Sequence, residues 1–299
     1  MQSPLLADTA VLFILTTDWG HKRPVCLLSC GDKNKGWLIV GAVSLDLSSI
    51  SRSSITDAEW ETRCELAAAF RIAHHLGWND RVTNHITARL PDRPDHFLMN
   101  PRGLGWNEVT ASSLVKADLD GNILSDLGPF SIGPAGFNFH SAILRDKPHL
   151  NCSLHVHAQA GVIISATQDG LIIVDQTGCH LHGEVAYHQF EGFAEEKDEA
   201  PRIVHDLADK STMIMWNHGL LSVGRTVGEA VLYMRRLVDA CDLQIRLMST
   251  GSQIRRIPDD VLDFTRLQIQ KKKQNPGYVK EEWNMYLRLV DRLDPSYRT

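Results

Sequence analysis

The stretch Leu154-His155-Val156-His157-Ala158 is the part of the chain whose residue types and spacing best suit chemistry. Residues two apart on a β-strand point to the same face. His155 and His157 therefore project together with Ser153, while Leu154, Val156 and Ala158 face a core. The strand rise places the two histidine backbones about 7 Å apart, close enough for their imidazoles to converge on one divalent ion. A third histidine, His218, sits in Trp216-Asn217-His218-Gly219, a turn sequence just past a short buried strand, where a ring can reach a cleft. Spacing alone leaves His218 open to two readings: a third ligand, or a turn histidine bonded to backbone.

These histidines need a frame, and the pattern supplies one from about Thr56 to Gly251. Thr56 with Glu59, and Thr226 with Glu229, have capping-box spacing at the starts of two helices. Leu66, Ala69, Phe70, Ala73 and Leu76 line one face of the first, which Gly77 stops. Ala230, Met234, Leu237, Cys241, Ile245 and Met248 line the second, ended by Gly251. A third helix is predicted over 134–146, with Pro134 suited to its first turn. Strands are predicted at 83–90, 96–100, 152–158, 171–175 and 213–216. A hairpin around Asp120-Gly121 is predicted over 117–124. Helices and strands interleave, so this region is one α/β domain. Residues 1–55 are expected to be an appended, poorly ordered extension, with a short β-hairpin as the rival reading. Residues 252–299 are expected to be a polar extension with one helix over 281–293, its Lys271-Lys272-Lys273 run a solvated face.

Composition narrows the function classes. The chain has 299 residues, 31 basic against 36 acidic, for a net charge of −5. That balance gives no reason to expect nucleic acid or an anionic membrane as partner, and no apolar run is long enough for a spanning helix. Six scattered cysteines without a Cys-x-x-Cys pair fit a reduced, cytoplasmic setting. P-loop, dinucleotide-binding, nucleophile-elbow and zinc-finger patterns are absent from the sequence.

Residues from about Glu59 to Gly251 resemble the class II aldolase/adducin family. Besides the histidines, the resemblance rests on Asn100-Pro101-Arg102-Gly103, Ser112-Ser113-Leu114-Val115-Lys116, Pro148-His149-Leu150 and Gly219-Leu220-Leu221-Ser222-Val223-Gly224. The tail Arg292-Leu293-Asp294-Pro295-Ser296-Tyr297 resembles that of a bacterial and fungal branch. The resemblance implies a three-layer α/β/α sandwich around a mostly antiparallel sheet, and a homotetramer with active sites between subunits. It implies one divalent metal on His155, His157 and His218; zinc is the first expectation, with iron, cobalt or manganese as alternatives. A second His-x-His pair, His180 and His182, lacks a counterpart in that pattern.

Three neutral ligands leave an ion its full charge and open positions, so it can polarise a substrate carbonyl. C–C cleavage beside that carbonyl, whether aldol cleavage or decarboxylation, then proceeds through a stabilised enolate. The sequence departs from the sugar-phosphate aldolases at the acid/base. Aligned through His140, their Ser-Ser-Glu corresponds to Pro134, Ala135 and Gly136, without a carboxylate or the phosphate-holding serines. Their other phosphate loop corresponds to Asn84-His85. His140 and His85 are the candidates for the acid/base, each also readable as a structural histidine. Asn84 and Arg102 are candidate substrate-binding residues, and Glu191 is a candidate to orient a ligand imidazole. Asp198 with Glu195, Glu196 and Glu199 reads as a solvated loop. The expected function is a metal-dependent lyase acting on a small, non-phosphorylated carbonyl or carboxylate substrate. The alternative is a non-catalytic, adducin-like module bound to actin or the membrane skeleton. The adducin head lacks the metal histidines, and this chain has all three. A mononuclear iron oxygenase is a third reading.

Overall fold

A computed structural model describes residues 27–28, 38–39, 55–125, 132–193, 198–275 and 277–299. The expectations for residues 1–55 as a whole, and for Glu195 and Glu196, lie outside the described residues. Within 1–55, β1 (Leu27–Leu28) pairs antiparallel with β2 (Leu38–Ile39).

Ser48–Thr299 forms one compact unit. Its seven-stranded sheet runs β5-β4-β3-β6-β9-β8-β7. The strands are β3 (His85–Arg89), β4 (His96–Met99), β5 (Val115–Asp118), β6 (Cys152–Val156), β7 (Val185–His188), β8 (Thr212–Met215) and β9 (Gly219–Gly224). Only the β7–β8 pair is parallel, so the sheet is mixed and mostly antiparallel, as expected. Helices α1 (Asp57–His75), α3 (Gln159–Ser165) and α5 (Val227–Ser249) cover one face; α2 (Pro134–Asp146) and α4 (Ala200–Leu207) cover the other. Phe139 and Ile143 of α2 and Ile203 and Leu207 of α4 pack there on Met213, Met215, Leu221 and Val223 of the sheet.

Both capping signals form: Thr56 accepts from the Glu59 backbone N–H and Thr226 from that of Glu229, each at 3.1 Å. The 117–124 hairpin forms, with Ala117 bridged to Ile123 and Leu124 N–H bonded to Lys116 C=O at 2.8 Å. The strand expected at 171–175 does not form. Its backbone is taken up by side chains: Leu171 N–H donates to Tyr187 Oη at 3.1 Å and Ile172 N–H to Gln244 Oε1 at 2.7 Å. The region 252–299 contains two helices, α6 (Asp259–Lys273) and α7 (Lys280–Leu293). Lys273 is no purely solvated group, since its Nζ pairs with Glu184 at 3.0 Å and lies over the Tyr233 ring. Trp283 of α7 packs against Gly228, and Arg71 of α1 binds Asp294 at 2.6 Å. The Tyr297 side chain is fully buried. No helix among the described residues is long and apolar enough to cross a membrane.

Candidate metal centre and its cavity

The sheet delivers the histidines to one end of the α2 face. β3 and β6 pair so that His85 stands opposite His155 and Thr87 opposite Ser153. Alternation then puts all four on one face, while Leu154 and Val156 are buried on the other. His157 lies one residue past β6 yet still joins its neighbour: the two Nε2 atoms are 3.0 Å apart. His218 arrives from the β8–β9 turn. Asn217 there takes a left-handed φ of +54°, a conformation asparagine tolerates better than most residues. Gly219 permits the close approach of β9 to β6, since a Cβ would sit 2.6 Å from Val156 O and 2.9 Å from the His157 ring. Rings of His155 and His157 lie 4.8 and 5.0 Å from that of His218, and one ligand atom from each falls within 4.8 Å of the others.

Hydrogen bonding tests whether this trio suits a cation. The Leu220 carbonyl can only accept, so His155 Nδ1–H donates to it at 3.0 Å. The neutral ring is then left with a lone pair on Nε2. His157 Nδ1 lies 3.4 Å from Asp80 Oδ2, which favours a proton there and a lone pair on its Nε2 as well. Two lone pairs then face each other at 3.0 Å, an arrangement a divalent ion resolves and neutral imidazoles alone do not. Burial first, then neighbouring rings, holds His155 well below the usual imidazole value. Burial together with His157 and His188 brings His218 down to about 4. Neutral rings with free Nε2 atoms are the form that ligates metal.

Behind this trio runs a second imidazole pair. His85 Nδ1 lies 2.9 Å from His140 Nε2, and His140 Nδ1 lies 2.8 Å from Thr87 Oγ1. His140 is fully buried, whereas the His85 ring stacks on His155 at 5.1 Å and lines the cavity. Burial, with His157 and His218 nearby, pushes His85 down to about 3. An ideal Cβ on Gly136 would fall 2.3 Å from His85 Cδ2 and 2.6 Å from its Nε2, so the ring occupies the space over that glycine.

The cavity has a volume of about 490 Å³ and is lined by the three candidate ligands, His85, Asn84 and Arg102, among others. Glu191 is placed elsewhere: it grips Arg202 Nε with both oxygens at 2.9 Å and stands 4.0 Å from His188, touching none of the three histidines. Asp80 is the carboxylate on a candidate ligand, a residue that sequence reasoning missed. Its turn is set by its own N–H donating to Asn84 Oδ1 at 2.6 Å. Burial would raise its carboxyl, but bonds from Arg81 and His157 hold it below the usual carboxylate range. Thr87 was missed too, although its place two residues after His85 on a strand was the available signal. Glu199 is a correction: it is buried and lies 3.4 Å from His188 Nε2 rather than in a solvated loop. His180 and His182 make separate bonds, to Tyr278 Oη at 2.8 Å and Asp263 at 3.0 Å, and hold the C-terminal helices.

The profile of the Class II Aldolase and Adducin N-terminal domain matches residues 64–245. A Caulobacter vibrioides protein named for the class 2 aldolases is 39% identical over 247 residues, covering 82% of this chain and 95% of that one. Rat alpha-adducin is 37% identical over 254 residues, 79% of this chain but only 34% of adducin. Among solved structures, an aldolase II superfamily protein from Pseudomonas syringae superposes with a TM-score of 0.77 at 39% identity, covering 83% of this chain and 99% of that one. An L-fuculose 1-phosphate aldolase from Glaciozyma antarctica gives 0.71 at 28% identity, covering 85% and 98%. The chain belongs to the class II aldolase and adducin family.

Proposed function

We propose that the protein is a divalent-metal-dependent lyase that breaks a C–C bond beside the carbonyl of a small, non-phosphorylated substrate, by aldol cleavage or decarboxylation. The observation that carries this reading is the pair of Nε2 lone pairs, His155 and His157, facing each other at 3.0 Å beside His218 in a cavity wall. His155, His157 and His218 would hold the ion, with zinc the first expectation and iron, cobalt or manganese compatible with the same donors. When bound, it would polarise a carbonyl and offset the negative charge that cleavage develops there.

The chain's own residues then handle the proton. His85 is the group that exchanges it with substrate, through the Nε2 that stands over Gly136. By the resemblance, that is where sugar-phosphate aldolases carry their carboxylate. His140 and Thr87 lock its tautomer. If Thr87 Oγ1–H donates to the Ser153 carbonyl (3.4 Å), the hydroxyl accepts from His140 Nδ1–H. His140 Nε2 then accepts from His85 Nδ1–H, and His85 Nε2 is free to act as base. On taking a proton from substrate at Nε2, His85 becomes an imidazolium whose Nδ1–H stays on His140. The same Nε2–H later returns that proton, so one ring serves both the base and the acid step. Asp80 orients His157, and Asn84 and Arg102 bind substrate. In this reading the enzyme works in the cytoplasm as a homotetramer.

The test is turnover by zinc-loaded protein on a panel of hydroxy-oxo acids and unphosphorylated sugars, read as aldehyde or carbon dioxide release. His85→Phe, which keeps a ring on His155, should lower kcat at least 100-fold with zinc content unchanged. An active enzyme indifferent to His85→Phe contradicts the assignment of the base. A zinc-free, inactive protein favours the second reading, an adducin-like binding module, which the similarity to alpha-adducin supports.

A further inference from the structure

Beyond His85, the cavity wall continues through Asn84, then by hydrogen bond to Asn100, then to Arg102. The orientation of both amides follows from their partners. Asn84 Oδ1 accepts from the Asp80 backbone N–H, which can only donate, so Nδ2 is the other end. Asn100 Nδ2 donates to the Asn84 carbonyl at 3.4 Å, which can only accept, so Oδ1 is the other end. Those two remaining atoms, Asn84 Nδ2 and Asn100 Oδ1, are buried without a hydrogen-bond partner, in side chains only 2% and 5% exposed. Unpartnered polar atoms of this kind are uncommon in folded proteins and call for an explanation.

One orphan is a donor and the other an acceptor. A hydroxyl group satisfies both at once, since it accepts and donates. An ionised phosphate oxygen only accepts and would leave Asn100 Oδ1 facing negative charge. Next along the wall, Arg102 has no ion-pair partner among the described residues, while Arg81 is engaged by Asp80. Gly133 and Pro134, at the N-terminus of α2, line the cavity beside it. An unpaired guanidinium pairs bidentately with a carboxylate, and the acceptor Asn100 Oδ1 nearby on the same wall is what disfavours the larger charge of a phosphate.

We propose that Asn84 and Asn100 read a substrate hydroxyl, and that the substrate is a hydroxy carboxylate whose carboxylate pairs with Arg102. This deepens the lyase reading above and rests on it for the reaction, but not for the binding.

The experiment is calorimetric titration with three probes: glycerate, propionate, which lacks its hydroxyls, and glycerol 3-phosphate. Each is run on metal-free and zinc-loaded protein, with zinc content measured in parallel. Metal-free protein removes chelation as a source of preference. There glycerate should bind at least tenfold more tightly than propionate, and more tightly than glycerol 3-phosphate. In metal-free protein, Asn100→Leu should reduce the glycerate-to-propionate ratio about tenfold, while Asn100→Gln, which keeps both an amide donor and an acceptor oxygen, should retain more of it than Asn100→Leu. Equal binding of glycerate and propionate by metal-free wild type overturns the hydroxyl assignment, whether or not zinc binds. Tighter binding of glycerol 3-phosphate overturns the carboxylate assignment. A protein that takes no zinc but keeps the glycerate preference sinks the lyase reading and leaves the hydroxyl pair standing.

Discussion

Replacing Gly136 with alanine drives a methyl group into His85. The new Cβ would lie 2.3 Å from Cδ2 and 2.6 Å from Nε2, whereas non-bonded carbons settle at about 3.5–4.0 Å. The imidazole must therefore retreat by more than about 1 Å. It has nowhere easy to go, being stacked on His155 at 5.1 Å, edge-on to Phe139 at 5.2 Å and bonded to His140 at 2.9 Å. Overpacking of this kind costs about 1–3 kcal/mol, and breaking the His85–His140 bond adds about 1 kcal/mol. A loss of about 2–4 kcal/mol is expected in urea unfolding, with a Tm lowered by roughly 5–10 °C for a unit this size. Metal stoichiometry should survive, because the three ligands come from β6, the residue just after it and the β8–β9 turn. Turnover should fall about 100-fold, the typical result of misplacing a catalytic group by 1 Å. Unchanged stability with the His85 ring unmoved in a crystal structure of the variant would refute the reasoning. Lost zinc with stability retained would also contradict it.

Other expectations follow from the same coordinates. The Arg89 guanidinium is buried and bonds three backbone carbonyls, those of Pro94, Leu144 and Leu150, so Arg89→Met should cost about 2–4 kcal/mol in urea unfolding. Removing the fully buried Tyr297 ring, by Tyr297→Ala, should cost about 3–4 kcal/mol by the same measurement. Burial, with Arg236, Lys272 and Lys273, lowers His180 to about 4. A histidine lowered on folding contributes stability that is full above its unfolded value near 6.5 and is lost as pH falls towards 4. After discounting for partial exposure, the loss should be about 1–2 kcal/mol between those limits, and His180→Gln should flatten it in pH-dependent unfolding.

The histidine centre was legible because its signal is local. A two-residue alternation within β6 aims His155 and His157 together, and Asn217-His218-Gly219 announces a tight turn. What surrounds the centre was hidden because it comes from elsewhere in the chain. Asp80 belongs to a polar turn 77 residues from His157 and carries no periodicity of its own. Asn100 lay inside a recognised motif, but only the folded pairing leaves its oxygen without a partner. Glu191 was misleading because its position near His188 in sequence is spent on Arg202. Among the elements, α1 and α5 were readable from long apolar stripes and capping boxes. α6 was not, since only Leu262 and Ile269 of its 15 residues are buried. The false strand at 171–175 has the apolar content of a strand, yet tertiary bonds from Tyr187 and Gln244 replace the ladder.

The measurement that bears most directly on the central claim is metal content by mass spectrometry of purified wild type and His157→Ala, each after incubation with zinc and removal of excess. The account predicts close to one zinc per chain in wild type and almost none in the variant, with both folded by circular dichroism. No bound metal in wild type, after zinc, iron, cobalt and manganese have each been tried, would contradict it; so would an equal stoichiometry in the variant.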